Sequence, residues 1–240
     1  MCEVSDGLEA VQKARELPPD VILLDIGLND GWADIIQVNG HVFPEVEKIA
    51  SGERFKQPRV VYHNLGNGKF QDVSAQMGPG MSERFSSRGA AFGDYDNDGD
   101  IDVLVLNMND PPSLLRNDGG NKNNWIKIKL IGRHCNRTAI GARVRIVTGG
   151  HAQIDEVHTG GSVMSQSDLR LHFGIGQAKK IDKLEVKWPT TWKTEKFRNI
   201  DVNQILTIRE GAGIVKMEKV ASQQCNRASS VAAPQIRASP

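Results

Sequence analysis

The clearest pattern along the chain is a regular alternation of apolar and polar residues in its second half. It runs through residues 125–131, 142–147 and 184–188, and residues 204–208 close the series. Successive side chains of a strand point to opposite faces of a sheet, so such segments indicate half-buried antiparallel strands of a sandwich or barrel. We predict an antiparallel β-sandwich over residues 122–212.

The periodicity ends beyond this region. Residues 213–240 are rich in Ala, Ser and Pro, and a segment of this composition buries too little apolar surface to offset the entropy of folding. We therefore expect residues 213–240 to be a disordered tail.

The N-terminal segment, residues 1–28, follows a different pattern and predicts a short β-α-β fragment. A capping-box spacing at Asp6 predicts a helix that ends before the two consecutive prolines at positions 18 and 19. The continuous apolar run at residues 21–24 is typical of a buried parallel strand. Asp25 follows at the C-terminal end of that strand.

Between these regions the chain contains an internal repeat. Residues 29–39 and 97–107 share the pattern Asn-Asp-Gly-x-x-Asp, followed by apolar residues and a closing Asn. Repeats of this length built from short strands are typical of propeller blades, and two copies are too few to close a propeller. We predict incomplete β-propeller blades over residues 29–121, so that the whole chain is mainly β.

An acidic loop in the second copy is the strongest chemical signal. Its carboxylates stand at positions 1, 3, 5 and 9 of the loop: Asp94, Asp96, Asp98 and Asp102. Asp100 at position 7 offers its backbone carbonyl, and Gly99 at position 6 permits a sharp turn. This number of hard oxygen ligands favours Ca²⁺ over Zn²⁺ or Cu²⁺. The alternative is a solvated acidic turn, in which the aspartates repel one another without a counter-ion.

The first copy of the loop has only half of this ligand set. Asp30, Gly31 and Asp34 occupy positions 5, 6 and 9, but apolar Ile26 and Leu28 stand at positions 1 and 3. We expect this copy to bind a metal ion weakly or not at all.

Composition places the chain among ordinary folded soluble proteins. Of its 240 residues, 39% are hydrophobic and 25% are charged, with a formal net charge of +1. Such a balance favours neither nucleic acid nor a membrane surface as a partner. No apolar run is long enough to cross a bilayer, and no signal-peptide pattern is visible at the N-terminus. With three cysteines, at most one disulfide can form.

Two family resemblances cover most of the chain. Residues 64–70 and 88–102 resemble the FG-GAP repeats of integrin-like propellers. The region after them resembles the ASPIC/UnbV domain of proteins similar to cartilage acidic protein, through residues 136–144, 160–166, 168–176, 186–189 and 203–204. The resemblance implies a secreted or periplasmic, calcium-dependent binding or structural module without an established enzymatic role.

The N-terminal fragment resembles a different family, the receiver domains of two-component response regulators. Residues 5–11 and 19–27 carry this likeness, and Asp25 matches the phospho-accepting aspartate. The family also uses an acidic pair and a lysine on strands that this fragment does not contain, so phosphotransfer is not expected. The likeness changes family near Leu28, as a gene fusion or an assembly error would produce.

Taken together, these features predict a non-enzymatic, calcium-binding adhesion or protein-interaction module. No nucleophile elbow of the Gly-x-Ser-x-Gly type is present. The partner is an unspecified protein or carbohydrate, while neither nucleic-acid binding nor membrane insertion is expected. The alternative from another class is a truncated receiver that accepts phosphate on Asp25. The first interpretation places the protein outside the cell or in the periplasm, and a genuine receiver N-terminus places it in the cytoplasm.

Overall fold

The computed structural model describes residues 22–27, 30–48, 52–117 and 123–219 of the chain. These residues form seventeen strands and only three short helical turns. Several separate antiparallel sheets are present, and none of the described sheets closes into a barrel. The prediction of a mainly β protein is confirmed. In the part of the chain that the structure describes, no helix is long and apolar enough to cross a membrane.

Two small sheets form the N-terminal half. The first blade consists of β1 (Ile22–Gly27), β2 (Ala33–Gln37), β3 (Val60–Asn64) and β4 (Phe70–Asp72). The second blade consists of β5 (Ser87–Gly93), β6 (Asp102–Asn107) and β7 (Ser113–Leu115). The helical turns are two 3₁₀ helices, Pro44–Lys48 and Ser74–Gln76, and the α-helix α1 (Pro79–Ser82).

β1 is the first described strand of the first blade. It pairs antiparallel with β2, with Ile22 opposite Gln37 and Gly27 opposite Ala33. The parallel partner that we predicted for it within a β-α-β unit lies outside the described residues. Only residues 28–32 connect β1 and β2, and a parallel pair needs a crossover of a dozen residues or more. The register shifts between Leu24 and Ile26, which places Asp25 at a β-bulge. The helix predicted for the N-terminal fragment lies outside the described residues.

The two blades pack face to face through a shared apolar core. Ile36 and Val61 of the first blade belong to the same buried cluster as Ala90, Val103 and Val105 of the second. In β6 the buried Val103 and Val105 alternate with the exposed Leu104 and Leu106, as expected for a sheet with one buried face. The core therefore joins the two copies of the sequence repeat into one unit.

The C-terminal half is a sandwich of two four-stranded sheets. One sheet has the order β10-β9-β14-β15, and the other has the order β13-β8-β16-β17. Their strands are β8 (Asn124–Ile131), β9 (Arg143–Thr148), β10 (His151–Glu156), β13 (Leu171–Gly176), β14 (Lys180–Lys187), β15 (Thr194–Asp201), β16 (Gln204–Arg209) and β17 (Gly213–Lys219). A two-stranded hairpin, β11 (Gly161–Ser162) and β12 (Ser165–Gln166), projects from it.

A single buried apolar cluster fills the space between these two sheets. Ile126 and Ile128 enter it from β8, Val144 and Ile146 from β9, and Leu184 from β14, all fully buried. One pair of neighbours, β8 and β16, is parallel rather than antiparallel. The long connection between these two strands, which includes most of the sandwich, permits that arrangement.

The structure also revises the C-terminal boundary. We expected disorder from residue 213, but residues Gly213–Lys219 form β17, which pairs antiparallel with β16. A tight turn around Gly211 reverses the chain, so β17 gains a full ladder of backbone hydrogen bonds despite its weak apolar pattern. The remainder of the predicted tail, residues 220–240, lies outside the described residues.

The sandwich covers one edge of the second blade. The Ala90 amide donates to the Ser162 hydroxyl at 3.1 Å, and the Phe92 amide donates to the Ser167 hydroxyl at 3.2 Å. The Asp168 amide in turn donates to the Phe92 carbonyl at 2.8 Å. These bonds satisfy backbone groups of β5 that would otherwise form an open sheet edge.

Candidate metal centre

The acidic loop connects β5 to β6 and holds its carboxylates close together. Asp94 follows the last residue of β5, and Asp102 is the first residue of β6. Oxygen atoms of Asp94, Asp96 and Asp102 all lie within 4.8 Å of one another. The loop turns sharply because Gly99 adopts a left-handed conformation with φ of 100°. These three carboxylates could hold a metal ion.

Backbone amides fix the two buried carboxylates of this group. The Asp102 carboxylate accepts hydrogen bonds from the amides of Asn117 at 2.9 Å and Tyr95 at 3.1 Å. Oδ2 of Asp94 accepts from the Gly99 amide at 3.0 Å and also pairs with the Lys127 ammonium group. Oδ1 of Asp94 is buried and has no hydrogen-bond donor among the described residues. An orphaned, buried carboxylate oxygen beside two further carboxylates fits a site for a cation.

The side chains of Asp98 and Asp100 lie outside the group of carboxylate oxygens within 4.8 Å of one another. Oδ1 of Asp98 instead accepts a hydrogen bond from the Asp100 amide at 2.9 Å. This bond closes a local turn within the loop. The Asp100 side chain is fully buried. The proposed coordination by the Asp100 backbone carbonyl remains a prediction.

The electrostatics of the loop favour a bound cation. Burial raises the pKa of Asp102 above its ordinary value, although hydrogen bonds from the amides of Asn117 and Tyr95 oppose that change. Burial also raises the pKa of Asp98, and the negative charges of Asp94, Asp96 and Asp102 add to the effect. Both shifts mean that negative charge is costly in this loop, and a hard divalent cation removes that cost.

In the first blade, a histidine lies against the corresponding acidic residues. Oδ1 of Asp34 accepts from the Asn64 amide at 2.7 Å, just as Asp102 accepts from the Asn117 amide. The imidazole of His63 contacts Asp34 through Nδ1 at 2.9 Å and approaches Asp30 through Nε2 at 3.8 Å. No group of three possible metal ligands occurs here among the described residues. This agrees with the half ligand set in the sequence.

The acidic loop is docked on the sandwich, a contact that sequence reasoning missed. The ring of Trp125 packs against Gly99, where an added Cβ would meet three indole atoms at less than 3.0 Å. Nε2 of His172 donates to the Gly99 carbonyl at 2.9 Å, and Arg170 donates to the Asn97 side-chain oxygen at 3.0 Å. Nothing in the local sequence around Trp125 or His172 distinguishes these residues from others on alternating strands.

Two of the residues that contact the loop, His172 and Lys127, have lowered pKa values. Burial lowers the pKa of His172 to about 4, which outweighs the opposing hydrogen bond to the Gly99 carbonyl. The imidazole is therefore neutral at pH 7. Burial also lowers the pKa of Lys127, against the raising effect of its bond to Asp94.

A cavity of about 300 Å³ lies next to the loop, between the second blade and the sandwich. Lys127 and Arg170 line it, and each is already engaged by a carboxylate, Asp94 and Asp168 respectively. Asp155 also lines the cavity, and burial raises its pKa.

Comparison with known families identifies the two halves of the chain. Residues 28–105 match the family model of the FG-GAP-like repeat, and residues 132–215 match that of ASPIC and UnbV. The first match includes β2 to β5, most of β6 and the acidic loop, and the second includes most of the sandwich. These matches support an FG-GAP-like repeat followed by a region similar to the ASPIC/UnbV domain. The resemblance to a receiver domain in the N-terminal fragment is not shown by these matches.

Among individual proteins, the chain is similar to cartilage acidic protein 1. The identity is 24% to the protein of Mus musculus over 176 residues, which is 70% of this chain and 26% of the relative. It is 30% to that of Xenopus tropicalis, over 48% of this chain and 18% of the relative. The identity to the protein of Homo sapiens is 26%, over 55% of this chain and 20% of the relative. The alignments therefore span about a quarter or less of these relatives.

Proposed function

We propose that this chain is a calcium-stabilised protein-interaction module of the extracellular type, with no catalytic role. The family matches support an interaction module, because the resemblance of this chain to FG-GAP-like repeats and ASPIC/UnbV domains implies a binding or structural unit. The observation that carries the calcium proposal is the orphaned Oδ1 of buried Asp94 within a group of three carboxylates.

In this proposal the ion is held by Asp94, Asp96 and Asp102. When bound, Ca²⁺ supplies positive charge to the loop and takes oxygen ligands at flexible geometry. The loop connects two neighbouring strands of the second blade, so its order determines how well β5 and β6 pair. Calcium would act on stability and binding rather than on a chemical reaction.

The apolar face of the second blade supports a protein partner. Leu104, Leu106 and Leu114 lie on the side of the sheet that faces away from the blade core, and each is between 38% and 50% exposed. Leu104 stands directly opposite Leu114 in the register of the two strands, so these side chains are adjacent. A cluster of apolar side chains on an outer sheet face is typical of a surface that another protein covers.

Calorimetric titration of the full chain with calcium tests the proposal. Asp96 is exposed and takes no part in the buried pair with Lys127, so Asp96→Ala removes one ligand with little disturbance of the fold. We expect this variant to bind calcium at least about tenfold more weakly. Asp201→Ala removes an exposed carboxylate of β15 and serves as the matched control. Equal affinity in the wild type and Asp96→Ala, or no calcium binding at all, would refute the proposal.

A further inference from the structure

A lysine of the sandwich reaches into the acidic loop of the second blade. The Lys127 ammonium group pairs with Oδ2 of Asp94, and the two side chains are 1% and 0% exposed. Lys127 belongs to β8, while Asp94 follows β5. The pair therefore joins two units that are separate in the sequence, and both of its side chains are buried.

The burial of Lys127 requires the loop to stay in place. Alternation along β8 directs Ile126 and Ile128 into the sandwich core, so Lys127 lies on the outer face of that sheet. An outer lysine is ordinarily solvated, and Lys129, two positions further along the same face, is exposed. Lys127 is buried because the loop covers it, and a buried ammonium group is tolerated only with a bonded partner.

Other sandwich residues hold the same loop. His172 and Trp125 contact Gly99, and Arg170 bonds to Asn97, so the sandwich touches the loop at its first, fourth and sixth positions. The first blade has a corresponding contact, because Nε2 of His151 lies 3.3 Å from the Gly31 carbonyl. Each blade therefore presents the carbonyl of its loop glycine to a histidine of the sandwich.

We propose that Lys127 is the built-in counter-cation of the calcium loop and that it links ion binding to the docking of the sandwich on the second blade. This inference rests on the proposed function. Asp94 offers one oxygen to Lys127 and its orphaned oxygen to the ion, so a single carboxylate serves both positive charges. The two charges repel each other through it. Lys127 therefore lowers the affinity for calcium and holds the loop folded against the sandwich when calcium is scarce.

The first blade also places a basic side chain beside the acidic residues of its loop. His63, a basic side chain of the protein itself, lies against Asp34 and Asp30 in the loop that lacks half of the ligand set. A basic side chain thus accompanies the acidic residues of both copies of the repeat. In the first copy it comes from the blade itself, and in the second it comes from the neighbouring sandwich.

Two substitutions in the full chain test the inference. Lys127→Met removes the charge and keeps most of the buried apolar stem, and Lys129→Met makes the same change at an exposed position of the same strand face. Calcium affinity is measured by calorimetry, and the thermal unfolding midpoint is measured in chelator and in saturating calcium. We expect Lys127→Met to bind calcium about tenfold more tightly. Its midpoint in chelator should fall, and the difference between the two midpoints should widen. Lys129→Met should stay within about twofold of the wild-type affinity, because its charge is screened by water.

Equal calcium affinity in Lys127→Met and Lys129→Met would overturn the inference and leave the proposed function intact. If Lys127→Met does not fold, Lys127→Gln gives the same readout, since it removes the charge and keeps a hydrogen-bond donor on a slightly shorter side chain. If the wild-type chain binds no calcium, the proposed function fails. The inference then predicts that Lys127→Gln gains calcium binding, and no gain would overturn it too.

Discussion

Gly99 of the acidic loop packs directly against Trp125 of the sandwich, so Gly99→Ala should be unusually destabilising. Two separate requirements meet there. The backbone has φ of 100°, a conformation that L residues rarely adopt. An added Cβ would also overlap the indole ring of Trp125, which is itself buried.

The expected loss follows from these two requirements. Backbone strain at a positive φ costs about 1–2 kcal/mol for a residue with a Cβ. Overpacking against a ring that cannot move freely costs about 1–3 kcal/mol more. Since Trp125 packs against His172 with ring centres 6.0 Å apart, it has little room to retreat. We therefore expect Gly99→Ala to lower the free energy of unfolding by about 2–5 kcal/mol.

Gly68→Ala provides the matched control. Gly68 also has a positive φ, of 81°, but no atom lies within 4 Å of an added Cβ. It should lose only the backbone contribution of about 1–2 kcal/mol. Urea unfolding of both variants and the wild type gives the comparison. If Gly99→Ala loses no more stability than Gly68→Ala, the loop is not packed against Trp125 as described.

Two further predictions concern pH and domain independence. The pKa of His172 is lowered to about 4 in the folded protein, against 6.5 for a free histidine. The stabilising contribution of neutral His172 is complete above about pH 6.5 and is lost as the pH falls through 4, by up to about 3 kcal/mol. Urea unfolding between pH 7 and 4 should show this loss in the wild type and a flatter profile in His172→Gln. Equal profiles in the two proteins would exclude this role of His172. Residues 123–219 enclose a complete core and should unfold cooperatively by circular dichroism at the same temperature in calcium and in chelator. A fragment that ends at residue 212 lacks β17 and should be less stable, and equal midpoints would contradict the role assigned to that strand.

Much of the fold was predictable because its signals are local. Apolar residues at every second position define β8, β9 and β14. The structure contains β8 and β9 within one residue of the predicted segments, and β14 begins four residues earlier than predicted. The acidic loop was predictable for the same reason, since its carboxylates lie within nine consecutive residues. Where our prediction differed, pairing with a neighbouring strand decided the outcome. β17 forms because β16 offers it an edge.

The β character of the chain, the position of its repeat and the residues of the acidic loop can all be read from the order of residues, because period-two alternation and close ligand spacing are properties of neighbouring residues. The order of residues did not distinguish Lys127 from Lys129, which occupy equivalent positions on one strand. Only the tertiary structure places Asp94 over the first and leaves the second in water. The physical reason is that burial of a charge depends on which surface covers it, and here that surface comes from a loop more than twenty residues away in the chain.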